Sequence, residues 1–161
     1  DNAGVTCQEI RAKCRRLANS PTGLGLVVID YLQLVNSGNR RIESRQVEVS
    51  EISRSLKTMA IELNVPVIAL SQLSRSAEKR ESNQPMLADL RESGSLEQDA
   101  DMVLFINRKD YYDKAKDFNQ KIVPAELIIA KHRKGGLGTV NLLFELNMSS
   151  FKSQLKVNNE E

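Results

Sequence analysis

Two stretches of the chain carry apolar residues at helical spacing, and both have helix-end signals. In the first stretch, the apolar positions three or four residues apart are Ile10, Cys14 and Leu17. The segment from Thr6 to Glu9 has the composition of a capping box, so we predict a helix over 6–18. The second stretch runs from Gln46 to Leu63 with charged residues between its apolar positions, and Asn64 suits the carboxyl end of a helix. The pattern predicts a second, longer helix there.

Two apolar runs without alternation flank the longer helix. They extend from Leu24 to Asp30 and from Val65 to Leu70. Such runs are typical of strands that are covered on both faces, as in a parallel sheet. Because a helix lies between them, the sequence predicts a right-handed βαβ unit.

The second half of the chain predicts three more strands. A third apolar run covers Met102 to Ile106, and two further runs, 125–130 and 140–146, flank a turn with three glycines, which indicates a hairpin. Ser95 and Gln98 have capping spacing and predict a short helical turn before the third strand. The predicted fold class is α/β, with flanking helices and a sheet that is parallel in its first strands and closed by a carboxy-terminal antiparallel hairpin.

Three polar stretches are predicted to lie outside these elements. Residues 36–45 form a loop, residues 108–122 form a surface excursion, and the tail 152–161 is frayed. The length of 161 residues, of which 40% are hydrophobic and 27% charged, suits one globular domain. No apolar run reaches the roughly 18 residues that cross a bilayer, and no leader opens the chain. We therefore expect a soluble, cytoplasmic protein without a membrane partner.

Charge and cysteine content exclude few classes of function. A net charge of +2 neither demands nor excludes a nucleic-acid partner, because the clustering of charge matters more than its total. Cys7 and Cys14 have no histidine or third cysteine near them. They fit reduced thiols on a helix better than a zinc site or a disulfide framework.

The carboxyl ends of the two parallel strands carry the first candidate site. Asp30 directly follows the first strand, and Gln72 follows the second. Ligands bind at this edge of open α/β sheets, and in P-loop ATPases a carboxylate there holds Mg²⁺, usually through water. An amide on the adjacent strand can report whether a γ-phosphate is present. The alternative is a pair of solvated turn residues, and the strand pattern alone does not decide between the two.

Two cations precede the glycine turn. Lys131 and Arg133 alternate at a strand end and are predicted to share one face, which suits a phosphate clamp acting in trans. The alternative is a solvated basic edge that discourages strand addition. The only histidine, His132, has no second ligand near it in sequence and receives no role.

The stretch 89–101 is a third candidate. Backbone amides around Gly94 and the guanidinium of Arg91 can contact a phosphate, while the alternative is an internally salt-bridged loop, because acids outnumber bases there. The chain contains no phosphate loop of the form GxxxxGK(S/T). The glycines at 135–138 have their lysines before them and precede a strand instead of a helix.

Several longer phrases together resemble one family. They are LGLVVIDYLQL (24–34), EVSEISRSLK (48–57), ELNVPVIALSQLSR (62–75), PMLADLRESGSLEQDADMVLFINR (85–108) and AKHRKGGLGTV (130–140). In this order they are similar to the carboxy-terminal, RecA-like motor domain of the DnaB-type bacterial replicative DNA helicases. The resemblance covers nearly all of residues 1–146 and implies that residues 1–161 are the carboxy-terminal part of a single RecA-like ATPase domain.

The resemblance implies roles for individual residues, position by position. Asp30 is similar to the Walker B carboxylate on Mg²⁺, and Gln72 to the glutamine that couples the γ-phosphate of ATP to the DNA-binding loops. Arg133 is similar to the arginine finger that reaches the neighbouring subunit's nucleotide, with Lys131 beside it. The positions that match the loop gripping single-stranded DNA are Arg91, Glu92 and Gly94. The segment 36–45 resembles a second channel-facing loop, in which the unassigned cations are Arg40, Arg41 and Arg45.

Cofactors and partners follow from the same resemblance. It implies ATP and Mg²⁺ as cofactors, and single-stranded DNA, a homo-hexamer, a primase and a helicase loader as partners of the full-length protein. The family's phosphate loop, catalytic glutamate and primase-binding collar are expected upstream, so the isolated chain is expected to be inactive. Lys134 stands where the family usually has asparagine, but the spacing to Arg133 is kept.

Two other functions stay open at this point. The chain can be a non-catalytic short relative or fragment that acts as an interaction module for a helicase ring or loader. A RecA-type recombinase is a weaker fit, because the phrase over 85–108 matches it less well. The genomic sequence upstream of Asp1 separates a helicase from a short relative. An in-frame phosphate loop within about 100 residues indicates a helicase, whereas a start codon at Asp1 opposes it.

Overall fold

The structure is a computed structural model of the chain and describes residues 4–39, 44–74, 80, 84–111 and 121–154. Its contacts divide the chain into two compact units. The first unit comprises Asp1–Ser74 with Ala88–Ala100, and the second comprises Arg75–Leu87 with Asp101–Glu161. Among the described residues, no helix is long and apolar enough to cross a membrane.

The first unit contains both predicted long helices. Helix α1 (Cys7–Ala18) begins at a capping box in which the amide of Glu9 donates to Thr6 Oγ1 at 3.3 Å and the amide of Thr6 donates to Glu9 Oε2 at 2.8 Å. Helix α2 (Arg45–Leu63) ends at Asn64, whose φ of 52° and ψ of 43° are left-handed. Local signals at the helix ends therefore predicted both helices, and α2 begins one residue earlier than predicted.

The two apolar runs form a parallel pair of short strands. Strand β1 (Val27–Ile29) pairs with β2 (Val67–Ala69), and the parallel pairing predicted for the βαβ unit is confirmed. The buried residues of the core in this unit are Cys7, Cys14, Ile29, Leu32, Val35, Ile52, Leu56 and Met59. A second set of apolar residues on and beside these strands is exposed: Leu26, Val28, Ile68 and Leu70.

Short helices complete the first unit. A 3₁₀ helix, Leu32–Leu34, follows β1, and another, Leu87–Ser93, runs into helix α3 (Gly94–Asp99). The predicted short helical turn is confirmed as α3, but Ser95 does not cap it, because the helix already begins at Gly94 and Ser95 lies inside it. A hydrogen bond from Ser53 Oγ to Asp99 Oδ2 at 2.7 Å ties α3 to α2.

The second unit is a four-stranded antiparallel sheet. Its strands, in spatial order, are β3 (Met102–Asn107), β4 (Ile122–His132), β5 (Gly138–Glu145) and β6 (Ser150–Ser153). The predicted hairpin is confirmed as β4–β5. However, β3 joins β4 in this sheet, so the described strands form two sheets where one was predicted. Backbone pairing of this kind is non-local and leaves little trace in a single strand's sequence.

The carboxy-terminal tail is more ordered than predicted. Residues 152 and 153 were expected to be frayed, but they belong to β6 and pair with Leu143 and Leu142 of β5. The Phe151 ring lies 4.7 Å from that of Phe144, which adds a side-chain contact to the backbone pairing. Residues 155–161 of the tail lie outside the described part of the chain. The predicted surface excursion opens with a 3₁₀ helix, Lys109–Tyr111, and its residues 112–120 also lie outside the described part.

Candidate functional site

The carboxyl ends of β1 and β2 meet at one edge, as predicted. Beyond the strands, the Leu70 amide donates to the Ile29 carbonyl at 2.9 Å, and the Leu32 amide donates to the Leu70 carbonyl at 2.9 Å. Asp30 lies between these two bonds with an exposed side chain, and the peptide bond that follows it is cis. The edge therefore presents a carboxylate directly after the buried Ile29 of β1, where open α/β sheets bind ligands.

Gln72 lies beside an open depression at the same edge. The depression has a volume of about 340 Å³ and is lined by Tyr31, Leu70, Ser71 and Gln72. The amide of Gln72 is exposed, so it can donate to or accept from a ligand in this depression. Asp30 is outside this set of lining residues, although Tyr31 follows it directly. The structure thus brings Asp30 and Gln72 to one edge without placing both in one cavity.

A residue that the sequence reasoning missed links the two strand ends. Gln33 lies in the 3₁₀ helix after β1, and its Nε2 donates to Ser71 Oγ at 3.2 Å. Ser71 immediately precedes Gln72. Two residues after Gln72, the Ser74 amide donates to the carbonyl of Asp89 at 3.1 Å. The segment that carries Gln72 is therefore held on both sides.

The predicted loop 36–45 is only partly described. Arg40 and Arg41 lie outside the described residues. Arg45 is the first residue of α2, where it pairs with Glu48 and donates from Nη2 to the Gln33 carbonyl at 2.7 Å. Its charge is therefore engaged within the chain, and the loop ends before it.

The predicted DNA-contacting residues lie where a 3₁₀ helix becomes α3. Arg91 and Glu92 are in the segment Leu87–Ser93, and Gly94 opens α3. Their side chains fall outside the described part, so their predicted contacts stay predictions. Nearby, Asp89 is buried, with 2% of its surface exposed, in the same segment.

The two cations of the hairpin lie in the second unit. Lys131 is in β4, but Arg133 lies in the turn after the strand ends at His132. Strand alternation therefore does not extend to Arg133, and the argument for a shared face is lost. Instead Asp101 engages Arg133 twice: its carbonyl accepts from the Arg133 amide at 2.8 Å, and its Oδ1 lies 3.2 Å from Arg133 Nη1.

The structure gives a steric reason for glycine at position 135 of the turn. A Cβ atom added to Gly135 would lie 2.3 Å from Nδ1 and Cε1 of His132, closer than any real contact. The imidazole therefore packs on the backbone of the turn that follows Arg133. This gives His132 a packing role, for which the sequence carried no signal beyond the glycine itself.

Known sequences resemble this chain over nearly its whole length. The family model described as the DnaB-like helicase C terminal domain matches residues 1–153. The replicative DNA helicase DnaC of Bacillus subtilis (strain 168) is 56% identical over 151 residues, which are 94% of this chain and 32% of that protein. The replicative DNA helicase DnaB of Geobacillus stearothermophilus has the same identity and coverage. The chain thus spans about a third of the length of these relatives.

A solved structure has the same fold. It is described as a DnaB-like replicative helicase and its interactions with primase, and it is 48% identical with a TM-score of 0.86. The match covers 96% of this chain and 37% of the other. It confirms the predicted α/β class of a RecA-like ATPase core, with its parallel strands, flanking helices and hairpin. By sequence and by fold, this chain belongs to the DnaB-like helicase C-terminal domain family.

Proposed function

We propose that the chain supplies the carboxy-terminal part of the ATP-driven motor of a hexameric replicative DNA helicase. The whole ring translocates on single-stranded DNA and so unwinds the duplex. The observation that carries the proposal is the shared edge of Asp30 and Gln72, in a chain of this family. The match of one family model to residues 1–153 supports a single ATPase domain that includes both units.

The edge suits ATP and Mg²⁺. Among the described residues, no group of three or more histidine, cysteine or acidic side chains lies close enough to form a metal cage. Mg²⁺ in nucleotide sites is commonly held by one or two carboxylates, water and phosphate oxygens, so a single exposed carboxylate fits it. Asp30 would hold the ion through water, and Gln72 would hydrogen-bond the γ-phosphate or the attacking water. The bound ion neutralises charge that develops on the phosphates.

The hairpin cations would act on a nucleotide of the neighbouring subunit. Arg133 is half exposed, as is its partner Asp101. Exposed ion pairs contribute about 0–1 kcal/mol, so this pair does not prevent the guanidinium from moving to a phosphate. A planar, permanently charged guanidinium suits that role, and Lys131 would add a second charge beside it.

DNA contacts would come from Arg91, Glu92 and Gly94. Contacts to the phosphate backbone carry no sequence information, so binding is expected to be sequence-blind and weakened by salt. The hydrogen bond between Ser74 and Asp89 supports a connection between this segment and Gln72.

Partners of the whole protein follow from its relatives. One solved relative is described with its interactions with primase, and we extend that partner to the protein that contains this segment. We likewise propose a homo-hexamer and a helicase loader as partners, acting in the cytoplasm.

A chimera tests the proposal. Residues 1–153 replace the matching segment of the Bacillus subtilis relative, and the product is called here the chimeric helicase. It is expected to hydrolyse ATP in the presence of Mg²⁺ and single-stranded DNA. Arg133→Ala should leave ATP binding nearly unchanged and lower hydrolysis by about 10³-fold or more. The matched control is Lys134→Ala, which removes a neighbouring exposed cation and should change hydrolysis little.

Two results would contradict the proposed function. The first is a chimeric helicase that assembles but does not hydrolyse ATP, and the second is normal turnover by its Arg133→Ala variant. The 161-residue chain itself should not hydrolyse ATP, because the amides and lysine of a phosphate loop are lacking from its sequence. A second candidate, which the sequence left open, is a non-catalytic interaction module for a helicase ring or loader. Two results together would support the module. The 161-residue chain would bind an intact helicase ring, and the chimeric helicase would not hydrolyse ATP.

A further inference from the structure

Gln33 joins the segments that follow the two parallel strands. Its side chain is half-buried, and its Nε2 donates to Ser71 Oγ at 3.2 Å. The two residues are 38 positions apart in the sequence, so the hydrogen bond depends on the parallel pairing of β1 and β2. Ser71 is the residue directly before Gln72, so this bond limits the movement of the proposed phosphate sensor.

The backbone of Gln33 is tied to the start of helix α2. Its carbonyl accepts from Arg45 Nη2 at 2.7 Å, and Arg45 also pairs with Glu48 one turn later. Glu48 Oε1 in turn accepts from the Ser37 amide at 3.3 Å. Both described ends of the segment 36–45 are thereby connected to Gln33. One residue thus contacts the start of α2 through its backbone and the Gln72 segment through its side chain.

The side-chain carbonyl oxygen of Gln33 argues against a purely stabilising role. Its Oε1 is buried and, within the described part of the chain, has no hydrogen-bond donor. A buried carbonyl without a donor destabilises a fold, and an apolar side chain of similar size would avoid that cost. Among the described residues, the link to Ser71 is therefore the hydrogen bond that favours a glutamine at this position.

We propose that Gln33 is a positioning residue that couples the start of α2 to Gln72. A displacement of Ser37 or of the first turn of α2 would reach Gln72 through Arg45, Gln33 and Ser71. DNA bound beside Ser37 would thereby alter the rate at which bound ATP is hydrolysed. The inference rests on the proposed function, because it requires Gln72 to respond to nucleotide.

The test compares ATP hydrolysis by the chimeric helicase with and without oligo-dT single strands. Gln33→Leu keeps the side-chain volume and removes the donor. The kcat with DNA should fall on the order of fivefold, as expected for the loss of one coupling hydrogen bond. The KM for ATP should stay within about twofold, because no contact with the ligand is removed. Gln8→Leu makes the same chemical change at an exposed position of α1 and should leave both constants unchanged.

A double-variant comparison isolates the bond itself. Ser71→Ala removes the acceptor, so it should lower kcat as Gln33→Leu does. If the two residues act through their hydrogen bond, the double variant is no slower than the slower single variant. Ser71→Ala also keeps the test decisive if Gln33→Leu fails to assemble, which size-exclusion chromatography reveals.

The outcomes separate this inference from the proposed function. In the first outcome, the unsubstituted chimera hydrolyses ATP and the DNA-stimulated kcat is unchanged in Gln33→Leu and Ser71→Ala. This result overturns the positioning role of Gln33 and leaves the proposed function standing. Effects of the two substitutions that add in full also overturn the positioning role, because independent sites add. An unsubstituted chimera that assembles without hydrolysing ATP refutes the proposed function and this inference with it.

Discussion

Replacing Ile52 by alanine is predicted to destabilise the first unit strongly. Ile52 lies on α2 and is fully buried, at 0% exposure, in the cluster that also holds Ile29 and Leu32. Ile29 directly precedes Asp30, and Leu32 follows it by two residues. Loss of the Ile52 side chain therefore removes packing directly behind the strand that positions the candidate site.

The size of the effect can be worked from burial. The substitution removes three carbon atoms, which at about 0.8 kcal/mol each gives roughly 2.4 kcal/mol of lost transfer free energy. A cavity of about 80 Å³ that stayed open would add about 2 kcal/mol at about 24 cal/mol per Å³. Because neighbouring side chains relax into part of the space, we expect about 3–4 kcal/mol in all.

Urea unfolding of the 161-residue chain, followed by circular dichroism, measures this change. With an m-value of about 2 kcal/mol per M, the midpoint should fall by about 1.5–2 M. Ile61→Ala is the matched control, because it removes the same atoms from the same helix at a position that is 69% exposed. Its unfolding free energy should change by less than about 0.5 kcal/mol. Equal midpoints for the two variants would refute the packing described for α2.

Three further predictions concern the 161-residue chain. Hydrogen bonds from two arginines of α1 lower the pKa of Glu62 below its ordinary value of 4.5, so its stabilising contribution is present above that pH and is lost as the pH falls through the lowered pKa. Glu62→Gln should therefore reduce stability at pH 7 but not in acid, as measured by urea unfolding at several pH values. Burial raises the pKa of the Cys7 and Cys14 thiols, so a thiol reagent at pH 8 should react with them more slowly in the folded chain than in concentrated urea. The exposed apolar residues around β1 and β2 should cause self-association, which Val28→Glu should weaken in sedimentation measurements.

Elements with local signals were predicted well. The capping box at Thr6 and the left-handed exit at Asn64 are set by residues within a few positions of each other, so a sequence pattern is sufficient to find them. The pairing partners of strands are not local. For this reason the runs that became β3 and β4 were found, while their membership of one four-stranded sheet was not.

Strand β6 shows a second limit. Its sequence is largely polar, and it is held by backbone hydrogen bonds to β5 that most residues can make. Its one distinctive contact, between Phe151 and Phe144, joins positions that a hairpin turn brings together. Four residues are too few to show the alternation that indicates a strand, so the segment was predicted as part of a frayed tail.

The residues of the candidate site also separate into those that local signals predict and those that depend on contacts distant in sequence. Asp30 and Gln72 were predictable because the carboxyl ends of parallel strands converge, whatever the detailed packing. The partners Gln33 and Asp101 were not, because each meets its contact across more than 30 residues of chain. Arg45 was assigned to a loop because the stretch 36–45 is polar, but it begins α2 and pairs with Glu48.

These differences have a common physical origin that also bears on where coupling residues are found. A strand end exposes a side chain toward ligand by geometry alone, so ligand-facing groups follow from the order of strands and helices. A residue that couples two such ends must reach sideways from one connection to the next, and Gln33 does so from a 3₁₀ turn of three residues, a segment too short to show periodicity. Irregular segments directly after parallel strands are therefore where hydrogen-bonding side chains between neighbouring site residues should be sought. In this chain Gln33 is such a residue, because its side-chain amide contacts the segment after β2 and its backbone carbonyl contacts α2.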